Sequence, residues 1–147
     1  MSGFDPEKFM DYASRQGAGH GAAVGVTYHA HGEDWVELAL PYRPELVGMA
    51  GTGILASGPI VSLMDMATGL SVWLKLGAFR PQATLDLRVD YLRPAVPERT
   101  VIGRGSCYRI TRSIAFVRGI AHDGDPDDPV ANVTGTFMGT DQAFEGG

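Results

Sequence analysis

The sequence predicts an α+β fold in which a curved antiparallel β-sheet wraps a long central helix. Residues 59–74 have the length of a helix and contain a single ionisable side chain, Asp65, so a helix here cannot leave one face in water. Two strand-like segments precede this helix and several follow it, an order typical of α+β proteins and not of alternating strand and helix units. A chain of 147 residues is long enough for one domain with its own core.

The elements before the long helix are a short helix and a pair of strands. Residues 5–15 have two aromatic residues at helical spacing and a proline near the start, which predicts a short amphipathic helix. Alternating small and β-branched residues predict a strand over 20–31, with its partner at 35–40. Residues 41–58 hold two prolines and four glycines, so we expect a loop long enough to have a function.

The long helix has clear start and stop signals. Ser57 or Gly58 can cap it, Pro59 suits its first turn, and Gly77 fits a left-handed stop. Such a helix ends at residue 76.

The strands after the helix complete the sheet. Residues 83–92 alternate apolar and polar side chains and therefore predict a half-buried strand. Further strands are expected at 100–110, 113–121 and 130–139, joined by tight turns. The strict alternation in the first of these strands places two sets of residues on opposite faces: Leu85, Leu87, Val89 and Tyr91 against Thr84, Asp86, Arg88 and Asp90.

We therefore expect one domain over residues 1–147. Residues 1–19 form an N-terminal helical extension in this interpretation, and 141–147 a frayed tail.

Composition excludes several classes of function. The net charge of −5 argues against a broad nucleic-acid surface, and no apolar run is long enough to span a membrane. The acidic N-terminus does not resemble a secretory signal, so a cytoplasmic protein is expected. Cys107 is the single cysteine and is expected to be a packed residue, while the four histidines show no metal-ligand spacing. We expect neither a metal nor a cofactor.

Asp65 is the residue to explain. An unpaired carboxylate inside an apolar helix is costly, so it must lie at an interface, in a pocket or beside a hydrogen-bond donor. Gly58, Ser62, Asp65 and Gly69 fall along one stripe of the helix, where a strand, a ligand or a partner chain can approach closely.

The start of the helix offers a second chemical group. Backbone N–H groups at a helix N-terminus can polarise a carbonyl oxygen as it becomes an oxyanion, and here Ser57 and Gly58 supply them whereas Pro59 cannot. Asp65 lies about 10 Å further along the helix. Two copies related by a two-fold axis would bring the helix tip of one chain near Asp65 of the other, so we expect a homodimer or homotetramer with shared sites.

Several motifs together resemble the PaaI-type acyl-CoA thioesterases of hotdog fold, over about residues 20–140. They are GTGILASGP at 51–59, LMD at 63–65, ATLDL at 83–87 leading to YLRPA at 91–95, and ANVTGTF at 131–137. In that family a long helix is wrapped by an antiparallel sheet, two subunits pair into one continuous sheet, and the active sites lie between them.

The resemblance implies roles for individual residues. Asp65 aligns with the catalytic carboxylate, which acts as a base toward water or as a nucleophile on the thioester. Thr84 aligns with a hydroxyl that places the water, and the N–H of Ser57 or Gly58 would polarise the carbonyl. The candidate substrate-binding residues are Arg93, for a CoA phosphate, together with Ser62, Leu55 and Met64.

Two polar groups of the family pattern are absent. The family usually has His-Gly-Gly before the helix, and this chain has Ala56-Ser57-Gly58; a frequent asparagine is replaced by Ala50. Hydrolysis of an acyl-CoA without a cofactor is the first interpretation. The alternatives are a hotdog protein that binds an acyl ligand without turnover and a hydratase of enoyl thioesters, while an Asp65 with a purely structural role also remains open.

Overall fold

A computed structural model describes residues 3–140 and Phe144. Its elements are helices α1 (Pro6–Gln16) and α2 (His20–Val24), strands β1 (Thr27–His31) and β2 (Val36–Leu40), a 3₁₀ turn (Pro44–Leu46), helix α3 (Ser57–Leu76), and strands β3 (Gln82–Tyr91), β4 (Val101–Ile110), β5 (Ile114–His122) and β6 (Ala131–Gly139). The six strands form one antiparallel sheet in the order β1-β2-β4-β5-β6-β3. The predicted α+β architecture is confirmed.

Helix α3 packs across the middle of the sheet, chiefly on β4 with β2 and β5 on either side. The close approach depends on glycine, because a Cβ on Gly105 would lie 2.7 Å from backbone atoms of Ala67 and Thr68. Leu63 and Met64 point from the helix into the sheet and are fully buried. The helix therefore has its apolar face fixed against the sheet, and its other faces meet the N-terminal helices and β3.

The N-terminal extension packs on the far side of α3. Asp5 caps α1 by accepting from the backbone N–H groups of Glu7 and Lys8, as the helix-start signal requires. The ring of Phe9 lies 5.1 Å from that of Trp73 on α3, in an edge-to-face arrangement. Phe4 and Phe79 join the same aromatic cluster. This cluster holds α1 against the second half of α3.

The start of α3 and the segment before β1 differ from the sequence prediction. The N-cap of α3 is Ala56 and no side chain caps the helix, so the prediction of a Ser57 or Gly58 cap was wrong. The strand expected over 20–31 is divided into helix α2 and strand β1, because Gly25 takes a left-handed conformation at φ 90° and ends the helix. Residues 41–58 contain a 3₁₀ turn and one bridge between Val47 and Leu55.

The last residues of the chain are described only at Phe144. Its side chain is 3% exposed and packs in a small cluster with Val72, Cys107 and Val117. Its backbone N–H donates to the Arg112 carbonyl. At this residue the expected frayed tail was wrong, because the aromatic ring has a buried site; the other tail residues lie outside the described part. Cys107 is itself buried, as expected, and burial raises the pKa of its thiol.

Within residues 3–140, no helix is both long enough and apolar enough to cross a bilayer.

Candidate active site

Asp65 has a hydrogen-bond partner on the neighbouring strand. Thr84 Oγ1 donates to Asp65 Oδ1 over 2.7 Å. Asp65 is half-buried and Thr84 is exposed. The two residues that the sequence singled out as a carboxylate and a hydroxyl are therefore brought together, 19 positions apart in the chain.

A β-bulge turns Thr84 toward the helix. Thr84 is paired with Phe137 and Asp86 with Thr136, so Leu85 is the extra residue on β3. Phe137 is buried on the helix side of the sheet, and Thr84 shares that side. The strict alternation expected for this strand was therefore wrong at its start: Leu85 is 53% exposed, and Thr84 does not lie on the outer face with Asp86.

Asp65 and Thr84 lie in the wall of an apolar cavity of about 210 Å³. The cavity is enclosed by α1, the middle of α3, and the paired strands β3 and β6. Gln82 reaches across it, and its Nε2 donates to the Gly69 carbonyl over 3.0 Å. The apolar side chains around it include Met66, Leu70, Trp73 and Phe137. The arrangement sets one carboxylate beside a space suited to a hydrocarbon chain.

The sequence analysis missed a contact one turn before Asp65. His20 Nε2 lies 2.6 Å from Ser62 Oγ, which ties the start of α2 to α3. The predicted substrate-binding residue Ser62 therefore has a protein partner. The sequence feature that could have indicated the short helix carrying His20 is the pair of glycines, Gly19 and Gly25, that bracket it.

The start of α3 is open. Ser57 and Gly58 are exposed, and a Cβ on Gly58 would meet nothing within 4 Å. Tyr91, at the end of β3, donates from its hydroxyl to the Ser57 carbonyl over 2.9 Å and so anchors this first turn to the sheet. Partial burial of the phenol raises the pKa of Tyr91. Within residues 3–140, no backbone acceptor bonds to the N–H groups of Ser57 and Gly58, so both can face a ligand.

Arg93 is held by carboxylates of its own chain. Its NH1 and NH2 groups donate to Asp123 Oδ2 and Oδ1 over 3.0 and 2.7 Å, and NH2 also donates to the Asp128 carbonyl. The Asp123 side chain is 2% exposed, and the hydrogen bond from Arg93 lowers its pKa to about 2. These contacts favour a structural role for Arg93, and its contact with a CoA phosphate stays a prediction.

The two remaining candidates are buried. Met64 is fully buried against the sheet, with its Sδ 2.7 Å from the position of a Cβ on Gly103, so it does not face the cavity beside Asp65. Met66, two residues on, lines that cavity instead. Leu55 is 7% exposed and belongs to the main core. Among the described residues, no three His, Cys, Asp or Glu side chains cluster as metal ligands would.

Comparisons with known proteins agree with this architecture. The family model of the thioesterase superfamily matches residues 52–130. The medium/long-chain acyl-CoA thioesterase YigI of Escherichia coli K12 is 30% identical over 130 residues, covering 79% of this chain and 82% of that protein. A crystal structure of a Pseudomonas aeruginosa protein is 36% identical, with a TM-score of 0.77 over 91% of this chain and 96% of the other.

The thioesterase HI1161 of Haemophilus influenzae shares the fold at 21% identity, with a TM-score of 0.75 and 94% of each chain covered. The predicted hotdog fold is confirmed.

Proposed function

Because this chain belongs to the thioesterase superfamily, we propose that it is a PaaI-type enzyme that hydrolyses an acyl-CoA thioester to a free acid and CoA. Thioester hydrolysis is the activity of the family. The acyl-CoA substrate is inferred from the E. coli relative, whose name specifies it. We place the enzyme in the cytoplasm as a prediction from its sequence.

The observation that carries the proposal is the hydrogen bond from Thr84 to Asp65 in the wall of an apolar cavity. The bond engages Oδ1 and fixes the plane of the carboxylate. In the part of the chain that the structure describes, Thr84 is the one side chain that donates to this group, so Oδ2 is available to a water or to a substrate. A thioester whose acyl chain enters the cavity would present its carbonyl carbon to that oxygen.

Asp65 has two routes to the same products. As a general base it takes a proton from water while the water oxygen attacks the carbonyl carbon; the C–S bond then breaks, and the proton passes to the CoA sulfur. As a nucleophile it attacks the carbonyl itself, CoA leaves as a thiolate that is protonated by solvent, and water hydrolyses the mixed anhydride. Rapid-quench mass spectrometry separates the routes, because only the second leaves an acyl adduct on Asp65.

The negative charge on the carbonyl oxygen needs donors, and the start of α3 supplies them. The N–H groups of Ser57 and Gly58 are open to a ligand, and the helix dipole adds a partial positive charge there. They lie about 10 Å along the helix from Asp65. We therefore propose that the donors come from a second copy of the chain, in a homodimer or a homotetramer with the sites between subunits.

A thiol-release assay across short, long and aromatic acyl-CoAs tests this function. Asp65→Asn keeps the shape of the side chain and removes the base or nucleophile, so kcat should fall by roughly 10² to 10⁴, with melting temperature and oligomeric state unchanged. Near-normal kcat in a well-folded Asp65→Asn protein would contradict the catalytic role. A purely structural Asp65 predicts instead a lower melting temperature with activity retained.

One observation favours a second candidate, an acyl-CoA-binding protein without turnover. Ala50 and Ala56 stand where relatives of the PaaI type carry polar side chains near the thioester. Calorimetric binding of acyl-CoA with no release of thiol would identify this function.

A further inference from the structure

Two cavities meet at three side chains. The smaller, of about 210 Å³, has Asp65 and Thr84 in its wall. The larger, of about 570 Å³, lies between α1, α2 and β1. Phe9, Met10 and Met66 line both cavities. These three side chains therefore form the wall that separates the space beside the carboxylate from the larger space behind it.

The two cavities differ in what they can accept. Trp73 and Phe137 enclose the smaller cavity with Leu70, so a hydrocarbon suits it. The larger cavity is also mostly apolar, but Glu7 and Asp11 contribute to its lining. Asp11 is paired with Arg15 over 2.7 Å, so Glu7 is the carboxylate of this lining that disfavours a CoA phosphate by like-charge repulsion. An acyl chain, which is uncharged, is the part of the substrate that fits both spaces.

The size of the smaller cavity sets a limit on chain length. The smaller cavity, of about 210 Å³, has well under half the volume of the larger, of about 570 Å³, so it holds only a short hydrocarbon chain. A longer acyl chain therefore extends beyond the smaller cavity. The larger cavity is the adjoining space, and Met66 stands between them.

Met66 differs from the other two side chains of this wall in how it is held. Phe9 is held by its ring contacts with Phe4 and Trp73, and Met10 is 7% exposed within the core. The thioether of Met66 is unbranched and flexible, and a Cβ on Gly21 of α2 would lie 2.7 Å from its Cε. Gly21 thus leaves the space that the end of Met66 occupies.

We propose that Met66 is a movable partition that sets acyl-chain length: short chains end in the cavity beside Asp65, and longer chains displace Met66 and continue into the cavity between α1, α2 and β1. This inference rests on the proposed function, since it concerns the acyl group of the same substrate. It assigns the specificity for acyl-chain length to the side chain of Met66 and to Gly21 beside it.

Two variants change the partition in opposite directions. Met66→Ala joins the cavities, so the ratio of kcat/KM for tetradecanoyl-CoA to that for hexanoyl-CoA should rise at least about tenfold, the lower end of the effect of one methylene group in an apolar pocket. Gly21→Ala pushes the end of Met66 away from α2 and narrows the passage, so the same ratio should fall. Met138→Ala is the control, because Met138 lies on β6 and lines neither cavity.

Binding is measured beside turnover, with the alkyl-CoA thioethers of the same two chain lengths, which cannot be hydrolysed. The dissociation constants should shift in the same directions as kcat/KM. An unchanged ratio in folded Met66→Ala and Gly21→Ala proteins that still release thiol overturns the partition and leaves the hydrolase intact. Shifted thioether binding in a protein that releases no thiol supports the partition and contradicts the hydrolase.

Discussion

Thr84 donates a 2.7 Å hydrogen bond to Asp65 because a bulge at Leu85 turns the first residues of β3 toward α3. Without the bulge, Thr84 would lie on the outer face of the sheet with Asp86, and the carboxylate would face the cavity without a donor. The bulge thus links the irregular start of a strand to the orientation of the proposed catalytic group. A carboxylate held through one oxygen presents the other in a fixed direction, as catalysis requires.

We predict that Thr84→Val lowers kcat about tenfold. A hydrogen bond to a charged group contributes about 1.5 to 3 kcal/mol, and a tenfold change in rate corresponds to about 1.4 kcal/mol. The KM should change little, because the valine has the same shape and the acyl pocket is retained. Steady-state kinetics with one acyl-CoA measures both constants.

Thr84→Ser is the matched control, because it restores the hydroxyl without the methyl group. It should recover most of the lost kcat. If Thr84→Val keeps the wild-type kcat while Thr84→Ser loses activity, the methyl group is what counts and the hydroxyl does not position Asp65.

The long helix and its carboxylate could be predicted from the sequence. Pro59 and Gly77 bracket the helix by local chemistry, and a single charge within an apolar run stands out without a structure. The strands from β2 onward were found for the same reason, since period-two alternation is a local signal. The fold class followed from the order of these elements.

The details of the site depend on contacts that a local pattern does not contain. The bulge at Leu85 leaves the order of residues unchanged, so the alternation of the segment looks regular. The five-residue helix that carries His20 is too short for a periodic signal. Arg93 and Asp123 are 30 positions apart, and nothing near either residue indicates that they pair.

The contact between His20 and Ser62 should contribute to stability. We predict that His20→Ala lowers the free energy of unfolding by about 1 kcal/mol, the typical net worth of a hydrogen bond. Ser62→Ala should cost a similar amount, and the double variant little more than either, since both remove one bond. Urea denaturation of the four proteins gives the coupling energy. Fully additive losses would show that the two side chains do not interact in solution.

The Arg93–Asp123 pair should produce a specific acid dependence of stability. The pKa of Asp123 is lowered to about 2 from an ordinary value of 3.8, so its contribution is complete above about pH 4 and is lost as the pH falls toward 2. Asp123→Asn should lower the free energy of unfolding at neutral pH. It should also make the free energy of unfolding depend less on pH between about pH 4 and pH 2. Asp34→Asn, an exposed aspartate in the turn before β2, is the control and should leave the profile unchanged.

Arg93→Ala separates the two roles of the arginine. Removing the guanidinium leaves the carboxylate of Asp123, which is 2% exposed, without its partner, so the free energy of unfolding should drop. A phosphate contact predicts in addition a rise in KM for acyl-CoA that exceeds the rise for a truncated pantetheine thioester. Equal changes for the two substrates assign Arg93 to the fold alone.

The shared site predicts that two inactive variants restore each other. Gly58→Pro removes one backbone N–H at a position near the helix start where proline is tolerated, and Asp65→Asn removes the carboxylate. Each homodimer should lose roughly 10²-fold or more in kcat. A heterodimer from co-expressed, differently tagged chains has one site with both groups intact, because Asp65 comes from the first variant and the Gly58 N–H from the second. After tandem affinity purification, the kcat of the heterodimer should approach half that of the wild-type dimer, because one of its two sites is intact.

If the donors and the carboxylate came from the same chain, every site in the heterodimer would lack one of them, and activity would stay at the level of the homodimers.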